Sequence, residues 1–136
     1  MAVSFQKLAH TFQFVNADGG SNTAYVCRST GEIYWDSDLA EDPLPDDVED
    51  EEKYLVVPNA RDLDLGKPLA LAFAKAFLPD DVFNVHEIFD RRGAYRKFRS
   101  LLRLRDATDR WYTFEAEATE RALRDWCAAN DIELVD

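Results

Sequence analysis

The sequence predicts an α+β fold: an N-terminal helix, a small antiparallel sheet made of a hairpin plus a third strand, and a mostly helical C-terminal half. Three observations carry that prediction. Apolar residues recur at helical spacing before residue 16 and again from residue 66 onward. Between these stretches lie short runs rich in Val, Ile, Tyr and Trp, separated by turn residues. At 136 residues with 46% apolar content, the chain fits one domain, 1–136, with enough apolar mass for a real core.

Phe5, Leu8, Phe12 and Val15 fall on one face of a helix predicted over 4–15, with Ser4 placed to cap it. The run NADGGSN breaks it. TAYVCR and EIYWD then read as the two strands of a hairpin, and the Ser29-Thr30-Gly31 link supplies a glycine where the tight turn needs a positive φ. From Asp36 to Glu52 come ten carboxylates, two prolines and no base, a self-repelling stretch that predicts a solvated acidic loop. Its sharper alternative is a site for a cation or a basic partner, but a calcium loop needs a glycine at its turn and this segment has none. KYLVVP follows as the third strand, ended by Pro58.

The period then becomes helical. Leu69, Ala70, Phe73, Ala76 and Phe77 predict one face of a helix over about 66–78, with Pro68 tolerable in its first turn and Pro79 ending it. Asp80 or Asp81 is placed to cap a next helix, whose Val82, Val85, Ile88 and Phe89 share a face. Two further helices are predicted, over about 93–105 and 108–130. Asn130 is the expected left-handed stop before a strand-like tail, IELV.

The net charge is −11, but it is unevenly spread: residues 1–90 hold 18 acids and 6 bases, and residues 91–110 hold 8 bases and 2 acids. Ala94, Tyr95, Phe98, Leu101 and Leu102 form the expected core face of the basic helix. Arg92, Arg96, Arg99 and Arg103, at i, i+4, i+7 and i+11, form a separate exposed stripe. Like charges at this spacing cost a few tenths of a kcal/mol per pair unless an anion offsets them. Three readings compete for the stripe: pairing with the chain's own acids, such as Asp106, Asp109 or the acidic loop; phosphate recognition; and docking to an acidic protein surface. In the last helix, Trp111, Phe114, Ala118, Ala122 and Ala129, widened by Tyr112, Leu123, Trp126 and Cys127, are expected in the core.

No sequence pattern singles out an enzyme. GxSxG, GxxxxGK[ST] and GxGxxG are all missing, and His10 and His86 have no His or Cys at metal-ligand spacing. Asp62 and Asp64 form a DxD pair, whose simpler job is to cap the helix beginning near Gly66. Cys27 and Cys127 are too few for a disulfide framework and are expected as reduced thiols packed like small hydrophobes. The longest apolar run is far short of a membrane span, and MAVSFQKLAH lacks the order of a signal peptide, so no membrane partner and a cytoplasmic location are expected.

The run RRGAYRKFRSLL, followed by RWYTFEAEATERALRDWCAANDIEL, resembles the signature end of a bacterial family, uncharacterised protein family 0158. The STGEIYWDSD hairpin, the acidic segment leading to KYLVVPNARDLDLG, and LALAFAKAFLPDD follow in that family's order, so the resemblance spans nearly the whole chain. It implies a small cytoplasmic bacterial protein and brings no activity, substrate, cofactor or site residue with it. The function expected from the residues is that of a non-enzymatic binding or regulatory protein acting through its surface on a protein partner, with no cofactor. One alternative is RNA or other nucleic-acid binding through Arg92, Arg96, Arg99 and Arg103; another is a small metal-dependent hydrolase using Asp62, Asp64 or His86. The sequence specifies no oligomeric state.

Overall fold

A computed structural model describes residues 2–17, 22–36 and 43–136. The fold is α+β, with a small three-stranded antiparallel sheet, a parallel strand pair and a helical C-terminal half. The chain divides into two compact units. Residues 1–63 and 122–136 form one, and residues 64–121 form the other.

The first unit opens with a short strand, β1 (Ala2–Ser4), and the predicted helix, α1 (Phe5–Asn16). Ser4 caps α1 as expected, its hydroxyl accepting a hydrogen bond from the Lys7 amide at 3.3 Å. Leu8, Thr11, Phe12 and Val15 are buried. Thr11 tolerates burial because its hydroxyl donates to the Lys7 carbonyl at 2.8 Å and accepts from the Trp35 indole at 3.1 Å. The Trp35 ring in turn stacks on Phe14, centroids 4.2 Å apart.

The hairpin is formed by β2 (Thr23–Cys27) and β3 (Ile33–Asp36), and Gly31 takes the positive φ, 78°, that the turn demands. β2 is central, with β4 (Tyr54–Val56) antiparallel on its other side, so Tyr25 lies opposite both Tyr34 and Val56. Its Ala24 and Val26 are fully buried while Thr23, Tyr25 and Cys27 are half-buried, the alternation of a one-faced sheet. The IELV tail forms β5 (Glu133–Val135), which pairs in parallel with β1 through Val3 and Leu134. Sequence periodicity cannot reveal this pairing, because each strand has only three residues.

The predicted acidic loop lies partly outside the described residues, at 37–42. Its described part is an ordered turn. Val48 is buried, Lys53 bridges Asp47 at 3.0 Å, and the Arg28 Nε donates to the Glu51 carbonyl at 3.0 Å.

The second unit is helical: α2 (Lys67–Phe77), α3 (Val82–Ile88), α4 (Ala94–Leu104) and the first part of α5 (Thr108–Ala129). Its core is aromatic. Phe73 meets Trp111 and Phe114 edge-on, and Phe98 meets Trp111 and Phe89 edge-on, with centroids 4.9–5.4 Å apart. The core face of α2 is Leu69, Ala70, Phe73 and Ala74, whereas Ala76 and Phe77, expected inside, are exposed. The two parts of α5 bury different residues: Trp111 in the second unit, then Leu123 and Cys127 in the first. Tyr112 and Ala129 are exposed, contrary to expectation, since a single apolar band over 22 residues averages over a helix that serves two cores.

Both α4 and α5 end in the same way. Asp106 (φ 55°) and Asp131 (φ 59°) adopt the left-handed conformation, and the following amides, Ala107 and Ile132, reach back to the Leu102 and Cys127 carbonyls at 2.8 Å. The expected stop, Asn130, instead donates its side-chain amide to the Trp126 carbonyl, and the left-handed turn falls one residue later.

Candidate functional site

The candidate site is α4, and its start depends on Gly93. That residue sits at φ 73°, a conformation easy for glycine, and lets the chain leave α3 and enter α4 without a side-chain cap. From there the helix turns Phe98, Leu101 and Leu102 inward and buries them. Tyr95, expected beside them, is 46% exposed; its ring lies at the edge of the face, edge-on to Phe89 at 5.2 Å.

Arg92, Arg96, Arg99 and Arg103 are all exposed, but α4 begins at Ala94 after a left-handed Gly93, so helical spacing places only Arg96, Arg99 and Arg103 on one face and Arg92 lies before the helix. Within this unit no carboxylate lies at ion-pair distance from any of the four, so Asp106 and Asp109 do not neutralise them. Ser100 stiffens the stripe: its hydroxyl donates to the Arg96 carbonyl at 3.1 Å and accepts from an Arg103 Nη at 3.3 Å.

Arg105, two residues beyond the stripe, has a different role. Its Nε and an Nη donate to the two carboxylate oxygens of Asp81 at 2.9 and 3.0 Å. That bidentate pair explains why Asp81, at the start of α3, makes no capping hydrogen bond: its carboxylate is already committed. The Arg105 guanidinium holds the Asp81 carboxyl below the ordinary carboxylate value. Helical spacing separates Arg105 from the stripe by angle, but nothing in the sequence points to Asp81 as its partner.

The residues considered for hydrolysis have other employment. Asp62 exchanges hydrogen bonds with Asn59, its amide donating to the Asn59 side chain at 2.8 Å and its carboxylate accepting from the Asn59 amide at 3.2 Å. Asp64 takes φ 56° in the following turn. Neither caps α2, whose N-cap is Gly66 with no side-chain bond. His86 is exposed, 3.4 Å from Asp90, which also accepts from Lys67 at 2.7 Å. Among the described residues no group of three or more His, Cys, Asp or Glu is arranged to hold a metal ion.

The cysteines differ from each other. Cys127 is buried, and desolvation pushes its thiol up to about 11. Cys27 is not packed as a hydrophobe: it is half-buried in the hairpin turn, and the Ser29 and Thr30 hydroxyls hold its thiol down to about 7. No helix among the described residues is long and apolar enough to cross a membrane. No family model, curated protein or solved structure matches the chain.

Proposed function

We propose that this chain is a non-enzymatic, cytoplasmic binding or regulatory protein, of the bacterial family it resembles, that presents the arginine stripe of α4 to an acidic protein partner. The observation that carries this reading is the row of four exposed arginines left without a carboxylate in their own unit. Its helical part, Arg96 to Arg103, covers about 10 Å, at about 1.5 Å per residue. Arginine forks suit carboxylates, and docking them removes the repulsion that the bare stripe carries. A nucleic acid carries a charge at every phosphate and extends beyond the row, whereas a short acidic peptide can set its few carboxylates on the arginines alone.

Fluorescence anisotropy with two labelled probes tests this: a peptide rich in Asp and Glu, and a single-stranded RNA. The peptide should bind at low salt and lose at least about tenfold in affinity to Arg96→Glu plus Arg99→Glu, as expected for close charge pairs. Tighter RNA binding, with a log–log salt slope of about −2 to −3 for four phosphate contacts, would transfer the stripe to the nucleic-acid reading. Failure of both probes to bind would remove the stripe from function.

A further inference from the structure

We propose that the outer face of the three-stranded sheet binds an arginine-rich segment of a protein partner, with guanidinium groups laid on its tyrosines and paired with the carboxylates around them. The α4 stripe takes no part in this, so the inference is independent of the stripe reading. Strand register decides which side chains share the face. Ala24 and Val26 of β2 point inward with their cross-strand partners Trp35, Ile33 and Leu55. Tyr25 therefore points outward with Tyr34 and Val56, and Cys27 points outward with Tyr54.

The outer face of a one-faced antiparallel sheet is normally polar. Here it holds three of the chain's five tyrosines, and Val56 beside them is 56% exposed. The Tyr34 and Tyr54 rings meet edge-on across β2, centroids 6.2 Å apart. Such cross-strand contacts help to hold a sheet, but they do not account for the carboxylates gathered round this one. The Tyr34 hydroxyl donates to Glu32 at 2.6 Å, and Asp36 lies on the same outer face, opposite Thr23. Partial burial first, and then the Asp36 and Glu49 carboxylates, hold the Tyr25 phenol above its ordinary value, so both charges are felt at the central ring. Asp36 and Glu49 are exposed, and neither forms an ion pair among the described residues. The bases next to the sheet are already engaged: Lys53 bridges Asp47 at 3.0 Å, and the Arg28 Nε donates to the Glu51 carbonyl at 3.0 Å.

These observations define the guest. The unit bearing the sheet has a net charge of −12, which opposes nucleic acids and acidic peptides and draws bases. A tyrosine ring attracts a cation to its face. Arginine answers both features, since its plane stacks on a ring while its fork reaches a carboxylate, whereas lysine offers only a point charge. Neighbouring strands lie about 4.8 Å apart, so the row Tyr34, Tyr25 and Val56 is about 10 Å wide, room for a short peptide segment rather than a single ion.

Fluorescence anisotropy on the full chain tests the proposal with a labelled peptide of alternating Arg and Gly and the same peptide with Lys for Arg. The Arg peptide should bind at low salt, about threefold more tightly than the Lys peptide, the margin of a cation–π contact at an exposed site. Asp36→Asn plus Glu49→Gln should weaken it at least about tenfold, as expected for close charge pairs. Asp125→Asn plus Glu133→Gln removes the same charge from exposed positions on α5 and β5 and should change binding less than about twofold, because salt screens distant charges. Tyr25→Thr, which suits a strand, should erase the preference for Arg, provided its circular dichroism matches the parent. Equal losses in the two charge variants would mean that the whole unit attracts bases, and would overturn the site. Equal binding of the two peptides to the parent would overturn the contact with the tyrosines. No binding of the Arg peptide at low salt would overturn the proposal outright, while leaving the stripe reading to its own probes.

Discussion

The two units of this chain share a backbone but not a chemistry. Residues 1–63 and 122–136 carry 17 acids and 5 bases, a net charge of −12; residues 64–121 carry 10 acids and 11 bases, a net charge of +1. Their cores differ too: Leu8, Val26 and Leu123 are completely buried in the first, Phe73 and Phe98 in the second. The net charge of a chain is thus a poor guide to what a partner meets. The whole of the excess of −11 belongs to the sheet-bearing unit, and the unit with the basic helix is close to neutral, so a local field there can still favour an anion.

The largest test of this contrast is aromatic truncation. Phe98→Ala removes a fully buried ring that meets Phe89 and Trp111 edge-on, and should cost about 3–5 kcal/mol by urea denaturation. Leu8→Ala should cost about 2–5 kcal/mol in the other unit. Amide exchange shows whether each loss is local: faster exchange throughout the chain for both variants would make the two units one cooperative body. A loss below about 1 kcal/mol for Phe98→Ala would break the account of an aromatic core.

Helix ends give a finer contrast. The first unit caps α1 with a side chain, so Ser4→Ala should cost about 1 kcal/mol. The second relies on glycine, and at Gly93 a Cβ would meet nothing within 4 Å. Any loss in Gly93→Ala must therefore come from the backbone at φ 73°, at about 1–2 kcal/mol. Equal stability of Gly93→Ala and parent would mean that the left-handed turn is dispensable.

The same contrast explains what could be read from the sequence. Ser4, Gly31, Pro68 and Pro79 each act locally, so α1, the hairpin and α2 were legible from their neighbours. Arg96, Arg99 and Arg103 were legible as one face because helical spacing decides which side chains share it, but Arg92 was not, because the left-handed Gly93 ends the helical register before it. The Asp81–Arg105 pair and the β1–β5 pairing were not, since each joins residues far apart in sequence and leaves no period behind. The left-handed end of α5 was placed one residue early, at Asn130, and that of α4 was not anticipated, for a different reason. With only five glycines, the chain gives these turns to Asp106 and Asp131, a role that propensity assigns to Gly or Asn.

The smallest effect expected is also the one that reverses an intuition about charge. The unit with 17 acids is the intuitive place to look for acid sensitivity, but pH dependence comes only from groups whose values differ between the folded and unfolded chain, not from the number of acids. Asp81 differs, because Arg105 lowers its folded value below that of the unfolded chain. The sign follows: the stabilisation is complete at neutral pH, begins to fall near the ordinary carboxylate value of about 4, and is lost as pH drops through the depressed value. Asp81→Asn should therefore be less stable than the parent at pH 7, with the gap closing below about pH 4. Asp47, lowered by Lys53 in the acidic unit, should show the same sign and a smaller gap, because that pair is monodentate and both partners are exposed. Urea denaturation of Asp81→Asn and Asp47→Asn at several pH values checks the order. A larger gap for Asp47→Asn would return the acid sensitivity to the acidic unit.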